Sequence, residues 1–373
     1  MESKTMSLLL SFSSRLFKFE GTHMHPNILL MCKMLVILIS AHHMLFKISD
    51  PFIPFIQEFD YLNEYPNFFK YTMRFLYVSC SLLLLFNVRV KTASLIIGLV
   101  VIINIIASKP LFFNHVLICG CALFLAGLTD NKTSPNLLIY QLSLVYFGAS
   151  LNKFLDPDWW SGDFMHNWLG VARENAPYLY ISQYFKELVF AKSLSYITMF
   201  TEFTIAVLIL FRRTRHLTIL FIIIFHTILF TITSFRFGHF LESLAIVLLA
   251  FLSIPNKQLA ITYRGNTVGY IKQLFQFFDL DKKQNWSKST VKSDVWLSLK
   301  ISDNLYLNHS ALKKIIVYTP NFYMFLLFSD MASYIILYNH RTLLFFSNVI
   351  FIWLLIFYLV PFKQFKELSI PND

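Results

Sequence analysis

Five stretches of this chain run for 17 to 21 residues without an Asp, Glu, Lys or Arg: Thr92–Ser108, Pro110–Thr129, Thr133–Asn152, His216–Phe235 and Thr342–Phe362. A helix rises 1.5 Å per residue, so roughly 20 apolar residues match the hydrocarbon core of a bilayer. Several such runs in one chain predict a polytopic helical membrane protein. Composition agrees: 14% of the residues are charged, against about 25% in an ordinary soluble domain. A soluble enzyme, a nucleic-acid binder and a secreted disulfide scaffold are excluded. The net charge of +11 would suggest nucleic acid in a soluble chain; here it reads as basic loops on the cytoplasmic side.

The four cysteines (Cys32, Cys80, Cys119, Cys121) lie in or beside apolar segments and form no CxxC pair. Neither a disulfide framework nor a metal site is expected. The N-terminus lacks a small-residue cleavage site after a compact apolar core, so no cleavable signal peptide is expected.

Helices are expected near Ile28–Phe46, Tyr71–Val88, Thr92–Ala107, Leu111–Leu128, Asn136–Phe154, Ser193–Phe211, Leu217–Phe235, Phe240–Ile254 and Leu343–Leu359, about nine spans. Pro51, Pro110, Pro135 and Pro255 fall at segment edges, where a helix breaker belongs. Two inserts interrupt the pattern. Leu155–Lys192 is a polar, aromatic loop holding Trp159, Trp160 and Trp168, and Asn256–Thr319 carries enough charge for a small soluble domain. The expected organisation is an N-terminal cytoplasmic segment (1–26), a transmembrane bundle (27–255), an α/β module (256–341) and a last transmembrane helix with its tail (342–373). Arg89, Lys91 and the run Arg212, Arg213 and Arg215 share one side with Arg15 and Lys18 if every span is real. The positive-inside tendency makes that side, and the 256–341 module, cytoplasmic, with the Trp-rich loop facing outward.

Few ionisable groups remain inside the spans. Glu202 and His226 lie about 12 residues from the turn near Arg213, one on each arm of a helical hairpin, at nearly equal depth. A carboxylate at the bilayer centre costs several kcal/mol and faces the bundle interior, a partner or water. The two are expected to face one another or to share a polar cavity. His42 and His43 point about 100° apart on a helix and cannot form a same-face ligand pair. His115, His239 and Glu242 lie near helix ends, where interfacial or dipole contacts suffice. The segment YFGASLNKFLDPDWWSGDFM, Tyr146–Met165, ends a helix in the small residues Gly148, Ala149 and Ser150, which suit close packing. Asn152, Lys153, Asp156, Asp158 and Trp159 follow. Lys153 is either a lysine snorkelling to the interface or, if desolvated, an amine available as a base.

Tyr146, Phe147, Ala149, Lys153, Asp156, Asp158, Trp159, Gly162 and Met165 resemble the signature of the horizontally transferred transmembrane (HTTM) domain, the family of proteins related to vitamin K-dependent gamma-carboxylase. The later TEFTIAVLILFRRTRHLTILFIIIFH, with Glu202, the arginine run and His226, is similar to the rest of that domain, and the resemblance covers roughly residues 25–255. It implies a helical bundle with an intramembrane site opening to the outer or lumenal face. In true carboxylases a lysine of a Lys-Lys pair acts as base with reduced vitamin K, and carbon dioxide is added to peptide glutamates. Aligned back from Trp159, that pair falls on Lys153 and Phe154, so only the first lysine is present. No large lumenal domain for gripping a peptide follows the bundle. The resemblance implies Lys153 as base, Glu202 and His226 tuning or relaying protons, and Asn152, Asp156, Asp158 and Trp159 at the outer mouth. It implies a reduced quinone as cofactor, with carboxylase-like or quinone-dependent lyase-like chemistry.

The insert's core, ITYRGNTVGYIKQLFQFFDLD, reads as a short strand, a turn at Gly265–Asn266 and an amphipathic helix with Ile271, Leu274, Phe275 and Phe278 on one side. Val295–Ile301 is strand-like and precedes a helix starting near Asn308–Ser310. Tyr263 to Tyr270 resemble the YDGxCxxC signature of the DCC-type thiol-disulfide oxidoreductases, a thioredoxin-like family, with both cysteines replaced, by Thr267 and Tyr270. Thiol exchange requires a thiolate, so the module is degenerate and not an active dithiol oxidoreductase.

The expected fold is an all-α polytopic bundle of about nine transmembrane helices with a small thioredoxin-like α/β insert. Two functions compete: an HTTM-family enzyme distantly similar to the carboxylase, or a non-enzymatic membrane accessory, immunity or transport-related protein. The expected partners are the lipid bilayer and a peptide or membrane partner, not nucleic acid.

Overall fold

The structure is a computed structural model that describes residues 15–19, 21–42, 44–48, 52–129, 135–233, 237–251, 258–279, 283–290, 294–301, 303–319 and 321. The chain is mostly helical with one small mixed sheet. It packs as two units, one of residues 1–133 and 249–373, the other of residues 134–248.

In the first unit the helices are α1 (Pro26–Ala41), α2 (Pro66–Leu85), α3 (Val90–Ala107) and α4 (Asn114–Leu128). Pro26 and Pro66 occupy first turns, where the missing N–H costs nothing. The helix α1 is buried from Asn27 to Ile39. By contrast, α2 turns Phe68, Tyr71, Phe75 and Leu82 outward, the apolar surface expected of a helix whose solvent is lipid. At Gly98 a Cβ would collide with the main chain of Phe124, so α3 and α4 cross there backbone to backbone. Ser94 Oγ donates to Leu123 O at 2.7 Å across the same pair, and Ser40 Oγ and Tyr77 OH hydrogen-bond at 2.7 Å between α1 and α2. All four cysteines are thiols outside any disulfide.

Lys33, in the middle of α1, is fully buried. Its ammonium donates to the carbonyls of Arg15, Leu16 and Lys18 at 3.0, 2.7 and 3.2 Å, with the Phe19 ring 5.0 Å away. Asn87 Nδ2 donates to the carbonyls of Arg15 and Lys18 at 3.0 and 2.7 Å. The two side chains together fasten the N-terminal segment to α1 and to the turn that follows α2.

Residues 258–319 form the α/β module of the same unit. Its strands are β1 (Leu259–Tyr263), β2 (Gln284–Lys288), β3 (Leu297–Ile301) and β4 (Asn304–Leu307), in the order β2-β1-β3-β4. β1 and β2 are parallel and joined through the helix Asn266–Phe278; β3 is antiparallel to both β1 and β4. A last helix, Asn308–Val317, follows β4. Leu259, Ile261, Leu297, Leu299, Phe275, Ala311 and Ile315 fill the core on one face of the sheet. Leu274, expected on the core side of its helix, is instead half exposed. The strands β2 and β4 lack an apolar alternation and were not anticipated.

The second unit contains α5 (Asn136–Leu155), α6 (Pro157–Ser161), α7 (Ala176–Ser182), α8 (Val189–Leu208), α9 (Arg215–Ile232) and α10 (Gly238–Leu248). Leu155–Lys192, expected as a loop, carries α6, α7 and a π-helical stretch at His166–Val171.

The expectation of about nine transmembrane helices is not confirmed by the described residues. Among the described residues, Pro66–Leu85 and Val90–Ala107 are long and apolar enough to cross a membrane. Pro26–Ala41, Asn114–Leu128, Leu217–Phe230 and Gly238–Phe251 are apolar but shorter. Leu343–Leu359, the expected last span, lies outside the described residues. Close packing through Gly148 is also overturned: a Cβ there would meet nothing within 4 Å.

Candidate functional site

Helix α5 ends because Asp156 precedes a proline, which disfavours helical backbone, and Asp156 is extended at φ −99°, ψ 115°. Its carboxylate then accepts from Asp158 N at 3.0 Å and caps α6. Gly162 ends α6 in left-handed backbone, φ +91°. A Cβ there would lie 2.7 Å from Lys192 N, so this turn rests directly on the first turn of α8. Asn175 caps α7, accepting from Tyr178 N at 3.0 Å, and donates to Ile232 O at the end of α9 at 2.6 Å. Burial raises the Tyr178 phenol above its ordinary value, and its hydroxyl pairs with His166 Nδ1 at 3.0 Å.

The inward face of α5 carries Ile139, Leu142, Ser143, Tyr146, Ser150 and Lys153, spaced by three and four residues. Ser143 Oγ donates to Ala206 O at 2.8 Å and ties α5 to α8. Lys153 lies two residues from the end of its helix, yet its ammonium does not run outward. It reaches back one turn to Ala149 O at 3.1 Å and donates to Glu202 Oε2 of α8 at 2.6 Å. The two side chains are 17% and 11% exposed, so the pair is largely withdrawn from solvent. Snorkelling would put the charge on the other side of the Cα.

Two turns back along α5, Tyr146 OH and His226 Nε2 of α9 hydrogen-bond at 2.7 Å. Both are buried, and Phe225 and Phe240 flank the imidazole at 5.0 and 5.2 Å between ring centroids. Glu202 and His226 thus fall in two pairs, Lys153–Glu202 and Tyr146–His226, and do not bond each other directly. The pairs remain within electrostatic range, Lys153 of His226 and Glu202 of Tyr146.

Trp159 is buried, with its ring 5.1 Å from the Lys153 ammonium. It stacks on Phe164 at 4.3 Å, and Phe164 stacks in turn on Trp168 at 6.1 Å. Phe154 packs edge-on against Phe200 and Phe203. A primary amine, a carboxylate and aromatic walls therefore converge at one end of α5.

Of the residues expected at the outer mouth, Trp159 approaches Lys153, Asp156 is a helix cap, and Asn152 and Asp158 are exposed. Thr267 and Tyr270 lie in the first turns of the module's helix Asn266–Phe278, with Tyr270 exposed. Two polar groups were missed as site residues: Tyr146, whose hydroxyl is partnered inside the bundle, and Lys33. A lone lysine within an apolar run was the available signal for Lys33.

These features define a helical protein with an ion pair and a tyrosine–histidine pair buried between apolar helices. Residues 129–252 match the family model of the HTTM domain, which is a membrane domain. The two long apolar helices fit membrane residence. Comparison with curated proteins and with solved structures gives no match.

Proposed function

We propose that this chain is a multi-pass membrane enzyme whose reaction begins with proton abstraction by Lys153. The observation that carries the reading is the ammonium turned back into the bundle onto Glu202. An amine and a carboxylate 2.6 Å apart can share one proton, and transfer to the carboxylate leaves a neutral amine able to act as a base. Tyr146 and His226 would hold or pass a proton behind that pair. Trp159 and its stack would exclude water from it.

The similarity to carboxylase-related proteins supports a reduced quinone as the compound deprotonated. The donor set fits: Lys153 would receive a phenolic proton, and Trp159 and Phe154 supply flat apolar walls. When bound, the quinol would supply a reducing aromatic ring whose deprotonation starts its oxidation. We further read the cytoplasmic side as that of the basic loops and of the 256–341 module. Its parallel β1–β2 unit followed by antiparallel β3–β4 supports a thioredoxin-like module without its thiols.

The test is oxidation of a reduced naphthoquinone in air by the full chain in lipid nanodiscs. Lys153→Ala is expected to abolish it, and so is Lys153→Arg, because a guanidinium stays protonated. Unchanged oxidation in both variants would sink the enzymatic reading. A second reading draws on the same pair: Lys153 and Glu202 satisfy one another, as a purely structural ion pair in an accessory protein would. Full complementation of the cell by Lys153→Met/Glu202→Leu would favour it.

A further inference from the structure

The module's helix between β1 and β2, Asn266–Phe278, buries Val268, Phe275 and Phe278 against the sheet. Three more large apolar side chains on this helix face outward: Tyr270, Leu274 and Phe277 are 74%, 49% and 72% exposed. Their spacing of four and three residues places them within roughly 60° of one another around the helix axis. Two turns of outward aromatic and aliphatic surface are a poor fit to water.

Three observations identify what would cover it. Among the described residues, the helices Pro66–Leu85 and Val90–Ala107 are long and apolar enough to cross a bilayer, so lipid is at hand. Phe251 ends the apolar stretch Gly238–Phe251, and β1 starts at Leu259. The eight Cα-to-Cα steps between them span at most about 28 Å, which keeps the module close to the end of that apolar stretch whatever the path of the connection. Finally, residues 256–321 hold ten Lys and Arg against four Asp and Glu, and a basic balance is attracted to a surface of anionic lipid. Tyr and Phe are also side chains suited to the headgroup boundary, where an apolar ring and a polar tip are both accommodated.

We propose that Tyr270, Leu274 and Phe277 dock the α/β module onto the headgroup region of an anionic bilayer. One of the three, Tyr270, stands where the resemblance to thiol oxidoreductases would put a cysteine. The inference needs membrane residence but not the proposed catalysis, and it is tested without any turnover measurement.

The experiment uses the full chain, one copy per nanodisc, with an environment-sensitive dye on Leu274→Cys or, as control, on Lys300→Cys. Lys300 is exposed on the sheet, away from the core side. In discs of three parts phosphatidylglycerol to seven parts phosphatidylcholine, lipids brominated near the headgroup should quench the dye at 274 at least threefold more than at 300. Pure phosphatidylcholine or high salt should reduce that quenching about twofold. Tyr270→Ser/Phe277→Ser should bring position 274 down to the level of position 300, while an unchanged signal at 300 reports an intact module. Equal quenching of both positions by aqueous iodide, with no lipid quenching at 274, would overturn the proposal. So would protection of position 274 that occurs only in discs holding two copies, which would assign the stripe to self-association.

Discussion

Lys33 and Lys153 are both lysines withdrawn into apolar helices, and the two units of the molecule hold them by different chemistry. Lys33 is held by three main-chain carbonyls. Lys153 is held by one carbonyl and a carboxylate. A carbonyl oxygen accepts a hydrogen bond but does not take the proton, so these three contacts leave the proton on Lys33. A carboxylate can take the proton, so the Lys153 site has two neutralised arrangements within one hydrogen bond. The first is a fastening for the N-terminal segment. The second has the ingredients of an acid–base centre, which is why burial alone is a poor guide to function.

That contrast can be broken most sharply at Glu202. Glu202→Leu leaves the Lys153 charge without its partner and should cost about 3–5 kcal/mol, whereas Lys153→Met/Glu202→Leu should recover most of it. Thermal unfolding in detergent of the two variants measures the difference, and a double variant no more stable than the single one would mean the pair is not formed. A somewhat smaller effect is expected at the other lysine. Lys33→Met removes the shared donor from three carbonyls and should cost about 2–3 kcal/mol. Proteolysis near Arg15 should accelerate, with oxidation at the Lys153 site unaffected. The smallest change tests how the fastening is shared: Asn87→Ala should cost about 1 kcal/mol. Because Asn87 and Lys33 donate to the same carbonyls of Arg15 and Lys18, the double variant should lose less than the sum. Additive losses would show that the two side chains act separately.

The apolar runs made α3, α4 and α5 legible to within a few residues, because length and charge exclusion are local properties. Glu202 and His226 are both buried on neighbouring helices, but they meet α5 two turns apart, at Lys153 and at Tyr146. What counting could not supply is the partner of each. Lys153 and Glu202 are 49 positions apart, and their meeting depends on α8 starting at Val189 and running past α6 before it meets α5. The expected start at Ser193 gave no sign of that overlap. In the module, β1, β3 and both helices were readable from apolar spacing. The strands β2 and β4 were not, because Gln284–Lys288 and Asn304–Leu307 take their strand character from pairing with β1 and β3.

The turn at Gly162 ties the aromatic stack to the bundle mechanically. Only a hydrogen atom separates its Cα from the backbone of Lys192, and Glu202 lies ten residues further along the same helix, about 15 Å. The stack and the ion pair are thus joined twice over, where the Trp159 ring lies against the Lys153 ammonium and where Gly162 rests on α8.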